Sequence, residues 1–294
     1  MLISIKMWLK CHPIPAFFLL TFFIAWSIWL MVGVLAPGYF ILTIIPGAWS
    51  PSISAILLAY LSDGKSGIQQ LLKGLLKWRV GYRWYLVVFF GIALIAYAAM
   101  GINILFGGQP GQISLPGGAP LSAWPGVVPL VFFVNIFLGG PLAEDIGWRG
   151  YILPKLRKRM SALNASLLIG VVWVLWHIPF YIIPDGRVAV GDVPLIWFAQ
   201  LTIAWSVLFA WVYVNTESIL MPVLFHAAIN TTLGTLGILG PPTGNMMPLV
   251  LNTLLTWMAV GVVVVLFGKD LKRNKEAGSS MAQSTFFDSE SPLF

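Results

Sequence analysis

The chain is expected to fold as an all-α, polytopic membrane bundle of eight transmembrane helices plus an amphipathic surface helix, with both termini cytoplasmic. Three observations lead there. Of its 294 residues, 59% are hydrophobic and only 9% are charged, with a mean hydropathy of +0.88, whereas a soluble domain carries about 25% charged residues. The apolar residues gather into runs long enough for a bilayer crossing, which takes roughly 20 helical residues. The lysines and arginines fall almost entirely in every second connection between those runs, the pattern left by retention of positive charge on the cytoplasmic side.

The runs place spans near 15–36, 41–62, 83–106, 126–150, 164–183, 193–214, 218–238 and 247–268. The first exceeds the roughly 7–15-residue apolar core of a secretory signal and lacks an A-x-A cleavage site, so it reads as a span. Between the second and third lies GKSGIQQLLKGLLKWRVGYR. There Ile68, Leu71, Leu72, Leu75 and Leu76 recur at helical spacing against Lys73 and Lys77, which describes a helix lying in the membrane surface. Residues 1–268 make a single transmembrane domain, and 269–294, rich in Ser and charge, read as a disordered cytoplasmic tail. The single cysteine, Cys11, has no internal disulfide partner.

The cations test the count. The N-terminus carries Lys6 and Lys10. The second connection carries Lys65, Lys73, Lys77, Arg79 and Arg83, and the fourth carries Lys155, Arg157, Lys158 and Arg159; the tail adds Lys269, Lys272, Arg273 and Lys275. The odd-numbered connections hold only Arg187, beside Asp185 and Asp192. One span more or fewer would scramble this asymmetry. The net charge of +7 therefore records topology and lipid contact, and no nucleic-acid partner is expected.

Ionisable groups inside a bilayer are costly, so each is by default a functional candidate. They are few: Glu144, Asp145 and Arg149 in PLAEDIGWR, His177 in VVWVLWHIPF, and His226 with Asn230 in MPVLFHAAIN. Glu144 lies eleven residues before Lys155, about 16 Å at 1.5 Å per residue; His177, His226 and Asn230 lie about 20, 14 and 20 Å from their own helix starts. Three separate helices thus offer polar groups at one depth. Asp145 and Arg149, four apart, share a helix face and should pair. Glu144 and Arg149, five apart, should not, which leaves Glu144 without a partner on its own helix. Trp173 and Trp176 read as packing residues, and His12, next to Pro13 near the interface, is set aside. A carboxylate in a low-dielectric cavity suits a general base. Glu144 could take a proton from a water held by His177, and His226 with Asn230 could donate to the oxyanion of an attacked carbonyl. Two histidines and a carboxylate could also hold a divalent metal such as Zn2+ through Glu144, His177 and His226; no HExxH occurs, and the residues do not separate a metal mechanism from a metal-free one.

These stretches resemble the CPBP intramembrane proteases, the group that includes type II CAAX prenyl endopeptidases and bacterial Abi proteins. AEDIGWRGYILPKL is similar to the family's first motif, EExxxR; WVLWH to the second, an aromatic residue four before a histidine; HAAIN to the third, HxxxN. PSISAILLAYLSDGKSG and KWRVGYRWYL also look like the family's N-terminal half, and the likeness runs over about 40–235. The resemblance implies an eight-helix membrane endopeptidase, often classed with metalloproteases, whose cavity opens to the cytoplasm. It places the general base on Glu144, the water-positioning histidine on His177 and the oxyanion pair on His226 and Asn230. Asp145 stands where the family usually has a second glutamate. The expected partners are a protein or peptide substrate at the membrane, including a prenylated CAAX-type tail, and the lipid bilayer itself. Two other readings compete: a proton-coupled transporter, which should show inverted repeats that the sequence lacks, and a non-catalytic immunity or partner protein.

Overall fold

The computed structural model describes residues 2–109, 115, 118–184, 186–235 and 245–272. The tail beyond 272 and the residues just after 235 lie outside them. The described chain is helical, with no strand among the described residues: α1 (Leu2–Cys11), α2 (Pro13–Leu35), α3 (Ile41–Ala48), α4 (Ser50–Lys73), α5 (Tyr82–Leu105), α6 (Trp124–Leu138), α7 (Pro141–Asp145), α8 (Leu153–Leu156), α9 (Ala162–Trp176), α10 (Pro179–Ile182), α11 (Leu195–Thr216), α12 (Leu220–Thr235) and α13 (Met247–Phe267). Seven helical segments among the described residues are long and apolar enough to cross a membrane. The expected seventh span appears as α12, whose 16 described residues run through the bundle beside α5, α6 and α11. This is a multi-pass membrane protein.

Two expected spans are interrupted. The span read at 126–150 is two helices: α6 ends at Gly139, and α7 restarts after Gly140, which adopts φ 100° and is followed by Pro141 at the first helical position. Glycine is the residue that takes a positive φ without a Cβ penalty, and proline at the start of a helix forgoes an amide that would be unpaired anyway. The span read at 41–62 is likewise α3 followed by α4, parted at Trp49. Nor is the amphipathic segment a separate helix: α4 runs into it across a sharp bend at Gly64 (φ 63°). The second limb folds back so closely that a Cβ on Gly67 would meet the Ala59 carbonyl. Leu71 is buried on that limb while Leu76 is exposed.

The expected basic connections meet at one end of the bundle. Lys77 bonds Glu217 at 3.1 Å, the Ile219 amide donates to the Gly74 carbonyl (2.9 Å), and the Ser218 hydroxyl donates to the Lys77 carbonyl (2.7 Å). The Leu163 amide donates to Lys269 (2.9 Å), and Asn215 donates to Leu271 (2.7 Å). The second, fourth and sixth connections and the chain after α13 therefore share an end, as an even count between them requires.

Tight approaches fix the helices that carry the polar groups. A Cβ on Gly147 would overlap the Pro51 backbone, so α4 lies directly against the acidic segment. Gly170 of α9 faces Ile203 of α11, and the Ser206 hydroxyl donates to the Ser166 carbonyl at 2.8 Å. Small residues let membrane helices come close enough for dispersion and such bonds to hold them. α6, by contrast, has no buried residue, and Asn135 ties it to Thr231 of α12 at 2.9 Å.

Candidate active site

Glu144 and Asp145 close the short helix α7, and the chain continues as a π-helical stretch from Ile146 to Ile152. Such widened turns are uncommon and concentrate at functional sites. Gly140 lets the Glu144 side chain fold back over the start of its own helix, because a Cβ there would collide with Oε1. Asp145 points the other way, into the bundle.

Asp145 is fully buried and holds two partners. Arg149 donates from one terminal nitrogen to Oδ1 at 2.7 Å, and His226 Nδ1 lies 3.0 Å from Oδ2. The guanidinium is itself sandwiched between rings, its central carbon 4.6 Å from the Trp173 centroid and 4.4 Å from the Phe209 centroid. Arginine suits this place because its planar cation stacks on aromatic faces while its edge meets a carboxylate. The i, i+4 pair read from the sequence is thus half of an arrangement whose other half, His226, comes from α12.

Glu144 is buried among protein atoms but lines a cavity of about 490 Å³. Its Oε2 accepts a 2.6 Å hydrogen bond from the Trp173 indole. This corrects the reading of Trp173 as packing alone: it packs on Arg149 and also orients the carboxylate. The signal was present in WVLWH, which puts an N–H donor one turn before the candidate histidine, but a tryptophan in an oily helix carries no mark of which way its nitrogen faces. Trp176 packs against Trp29 and Trp148 and donates to Ser50 at 3.2 Å.

His177 ends α9, because Pro179 two residues on begins a new helix and cannot continue the old one. Its Nδ1 lies 2.8 Å from the Trp173 carbonyl. A carbonyl only accepts, so Nδ1 carries the proton and the neutral ring turns an accepting Nε2 outward. His226 obeys the same logic: Asp145 holds Nδ1–H, and the neutral ring offers an acceptor at Nε2, becoming a donor there only when it carries both protons. Asn230, one turn after His226, donates one amide hydrogen to the Gly139 carbonyl at 2.9 Å, which leaves its second N–H. Glu144, His177, His226 and Asn230 all line the one cavity, whereas Asp145 and Arg149 lie beneath it.

The set considered for a metal does not assemble as one. Among the described residues no group of three or more His, Cys, Asp or Glu side chains converges to hold an ion.

The cavity's direction is also at odds with one expectation. From the polar groups it runs to Ile41 of α3 and to Val188 and Gly191 in the connection before α11, away from the basic end. A cytoplasmic mouth and cytoplasmic termini therefore do not hold together.

Residues 126–232, which carry all six polar groups, match the family model "Type II CAAX prenyl endopeptidase Rce1-like". Over that stretch the chain is similar to the type II CAAX prenyl endopeptidases, which the motif resemblance places among the CPBP intramembrane proteases. A relative, CAAX prenyl protease 2 of Methanococcus maripaludis, is 26% identical over 232 residues, covering 75% of this chain and 83% of its own length. The three stretches that resemble the CPBP motifs come from α7 with its π-helical extension, α9 and α12.

Proposed function

We propose that this chain is a CPBP-type intramembrane endopeptidase that hydrolyses a peptide bond of a membrane-associated protein or peptide by direct attack of water. The observation that carries the reading is the convergence of Glu144, His177, His226 and Asn230, drawn from three helical segments, on one cavity. Glu144, fixed through Oε2 by Trp173, takes a proton from a water that donates its other hydrogen to the His177 Nε2. The water oxygen bonds to the scissile carbonyl carbon, and the carbonyl oxygen becomes an oxyanion. Asn230, through its free N–H, and doubly protonated His226, through Nε2–H, donate to that oxyanion. When the intermediate collapses, the C–N bond breaks and the proton on Glu144 passes to the leaving amine, which regenerates the carboxylate. Asp145 and Arg149 touch no reacting atom in this scheme; they hold the His226 ring. No step uses a metal. The relative from Methanococcus maripaludis bears the name of a CAAX prenyl protease, so a prenylated tail is one candidate substrate; peptide precursors and other membrane proteins are the others.

The test compares new N- and C-termini in cells expressing the wild-type chain or Glu144→Gln, with a chelator arm on the purified protein in lipid. The expected result is termini present only with wild type and unchanged by chelator. Chelator-sensitive cleavage restored by added zinc would overturn the metal-free scheme. A Glu144→Gln chain with full biological effect would favour the non-catalytic reading, and solute flux in vesicles the transporter.

A further inference from the structure

We propose that the catalytic cavity opens on the non-cytoplasmic face of the membrane, so that this protease receives an apolar segment of a membrane-anchored polypeptide presented from that face. The second clause rests on the protease reading above; the first does not.

The two ends of the bundle differ in charge and in closure. Lys65, Lys73, Lys77 and Arg79, then Lys155, Arg157, Lys158 and Arg159, then Lys269 and Lys272 are gathered at one end by the hydrogen bonds that join Lys77, Ser218, Leu163 and Asn215 to their partners across connections. An end so rich in lysine and arginine is retained in the cytoplasm. At the other end, Arg187 donates to the Val193 carbonyl at 2.7 Å and stacks on Tyr181, with Asp192 close by in sequence. The electrostatic orientation is unambiguous on this count.

Between the site and the basic end the bundle is filled. Trp148, Ile152 and Leu153 have no exposure, and Arg149 has 1%; the guanidinium is clamped by Trp173, Phe209 and Asp145. Toward the other end the cavity continues past Phe198, near the start of α11, and Leu233, near the end of α12. Phe198 stands eighteen residues before Thr216, about 27 Å from the basic end at the helical rise. The rim carries Ile41 and Val188, which are 58% and 60% exposed. Positive-inside orientation and the cavity's course together put the mouth outside.

The rim also restricts what enters. Ile41, Val188 and Phe198 are apolar, and the lining turns polar further in, at Thr202, Asn135, Glu144, His177, His226 and Asn230. These apolar positions accept an apolar stretch, while Arg187 and Asp192 of the same connection flank Val188 and Gly191. The substrate is then a membrane-anchored polypeptide cut toward its non-cytoplasmic side, rather than a prenylated tail arriving from the cytosol.

The experiment labels single cysteines in a Cys11→Ser background, in right-side-out vesicles, with a membrane-impermeant maleimide before and after permeabilisation. Val188→Cys and, as a second mouth position, Ile41→Cys are expected to react before permeabilisation, and Arg79→Cys only after it. The reverse pattern, or reaction of all three before permeabilisation, overturns the proposal. A second arm maps termini lost in Glu144→Gln cells: cuts on non-cytoplasmic segments support the substrate class, and cuts confined to prenylated cytosolic tails overturn it. If no termini are lost, the protease reading fails and the substrate clause falls with it, while the labelling still decides the mouth.

Discussion

Glu144 and Asp145 are neighbours in the chain and occupy different worlds. Asp145 is enclosed, bonded to a cation on its own helix and to a histidine on another, with no route to solvent. Glu144 has one bond, from an indole, and otherwise faces a cavity. The difference shows that an intramembrane acid is defined by what surrounds it rather than by depth. The paired acid can be removed only together with its cation, whereas the unpaired one can be neutralised with little structural cost. Substitutions that separate chemistry from architecture should expose this.

The largest effect is expected at the cavity. Glu144→Gln keeps the shape and the acceptor for Trp173 but cannot take a proton, so cleavage should fall about a thousandfold, roughly 4 kcal/mol in barrier, with thermal unfolding in detergent nearly unchanged. Arg149→Met should do the opposite. It strands the Asp145 carboxylate in a closed interior, and loss of one partner of a buried pair costs about 3 kcal/mol, visible as a lower unfolding temperature; an Arg149→Met, Asp145→Leu double variant should recover much of that stability. If Arg149→Met melts like wild type, the contrast between the two acids collapses. Asn230→Ala removes one oxyanion donor and should lower kcat by about a hundredfold with KM little changed. Trp173→Phe keeps the ring over Arg149 and deletes only the N–H to Glu144. Loss of a hydrogen bond to a charged acceptor, about 1.5 kcal/mol, should appear as roughly a tenfold drop in kcat.

The smallest effect lies at the basic end. Lys77 and Glu217 are substantially exposed, and such pairs contribute under about 1 kcal/mol. The hydrogen bond from Lys77 holds the Glu217 carboxyl below its ordinary value of 4.5. Its contribution is therefore present above about that pH and fades as the carboxylate protonates at lower pH. Lys77→Ala should leave melting at pH 7 almost unaltered and flatten the decline seen on acidification below pH 4.5.

Much of this architecture was legible because lipid leaves few alternatives. Apolar runs and lysine placement were enough for an all-helical, multi-pass chain, and the four-residue step from Asp145 to Arg149 was enough for their pair. Other features were not legible, for physical reasons. Gly139, Gly140 and Pro141 were visible as small or rigid residues, yet whether they kink, stop or merely thin a helix depends on what packs beside them; here Asn230 claims the Gly139 carbonyl. The bond from His226 to Asp145 joins residues 81 apart, a contact no local period encodes. The cavity's direction emerges only once α3 and the connection before α11 are seen to border it.

The π-helical stretch from Ile146 to Ile152 carries an evolutionary consequence. Deleting a single residue there would regularise the coil at no cost in composition or hydropathy. It would also change which side chains of the stretch face α4 and α11, because the wider i→i+5 turns set their present directions. The acids would stay in the bilayer while Arg149 or Pro51's neighbour Gly147 rotated out of register. Gly147 against the Pro51 backbone and Arg149 against Asp145 further limit which substitutions the segment accepts.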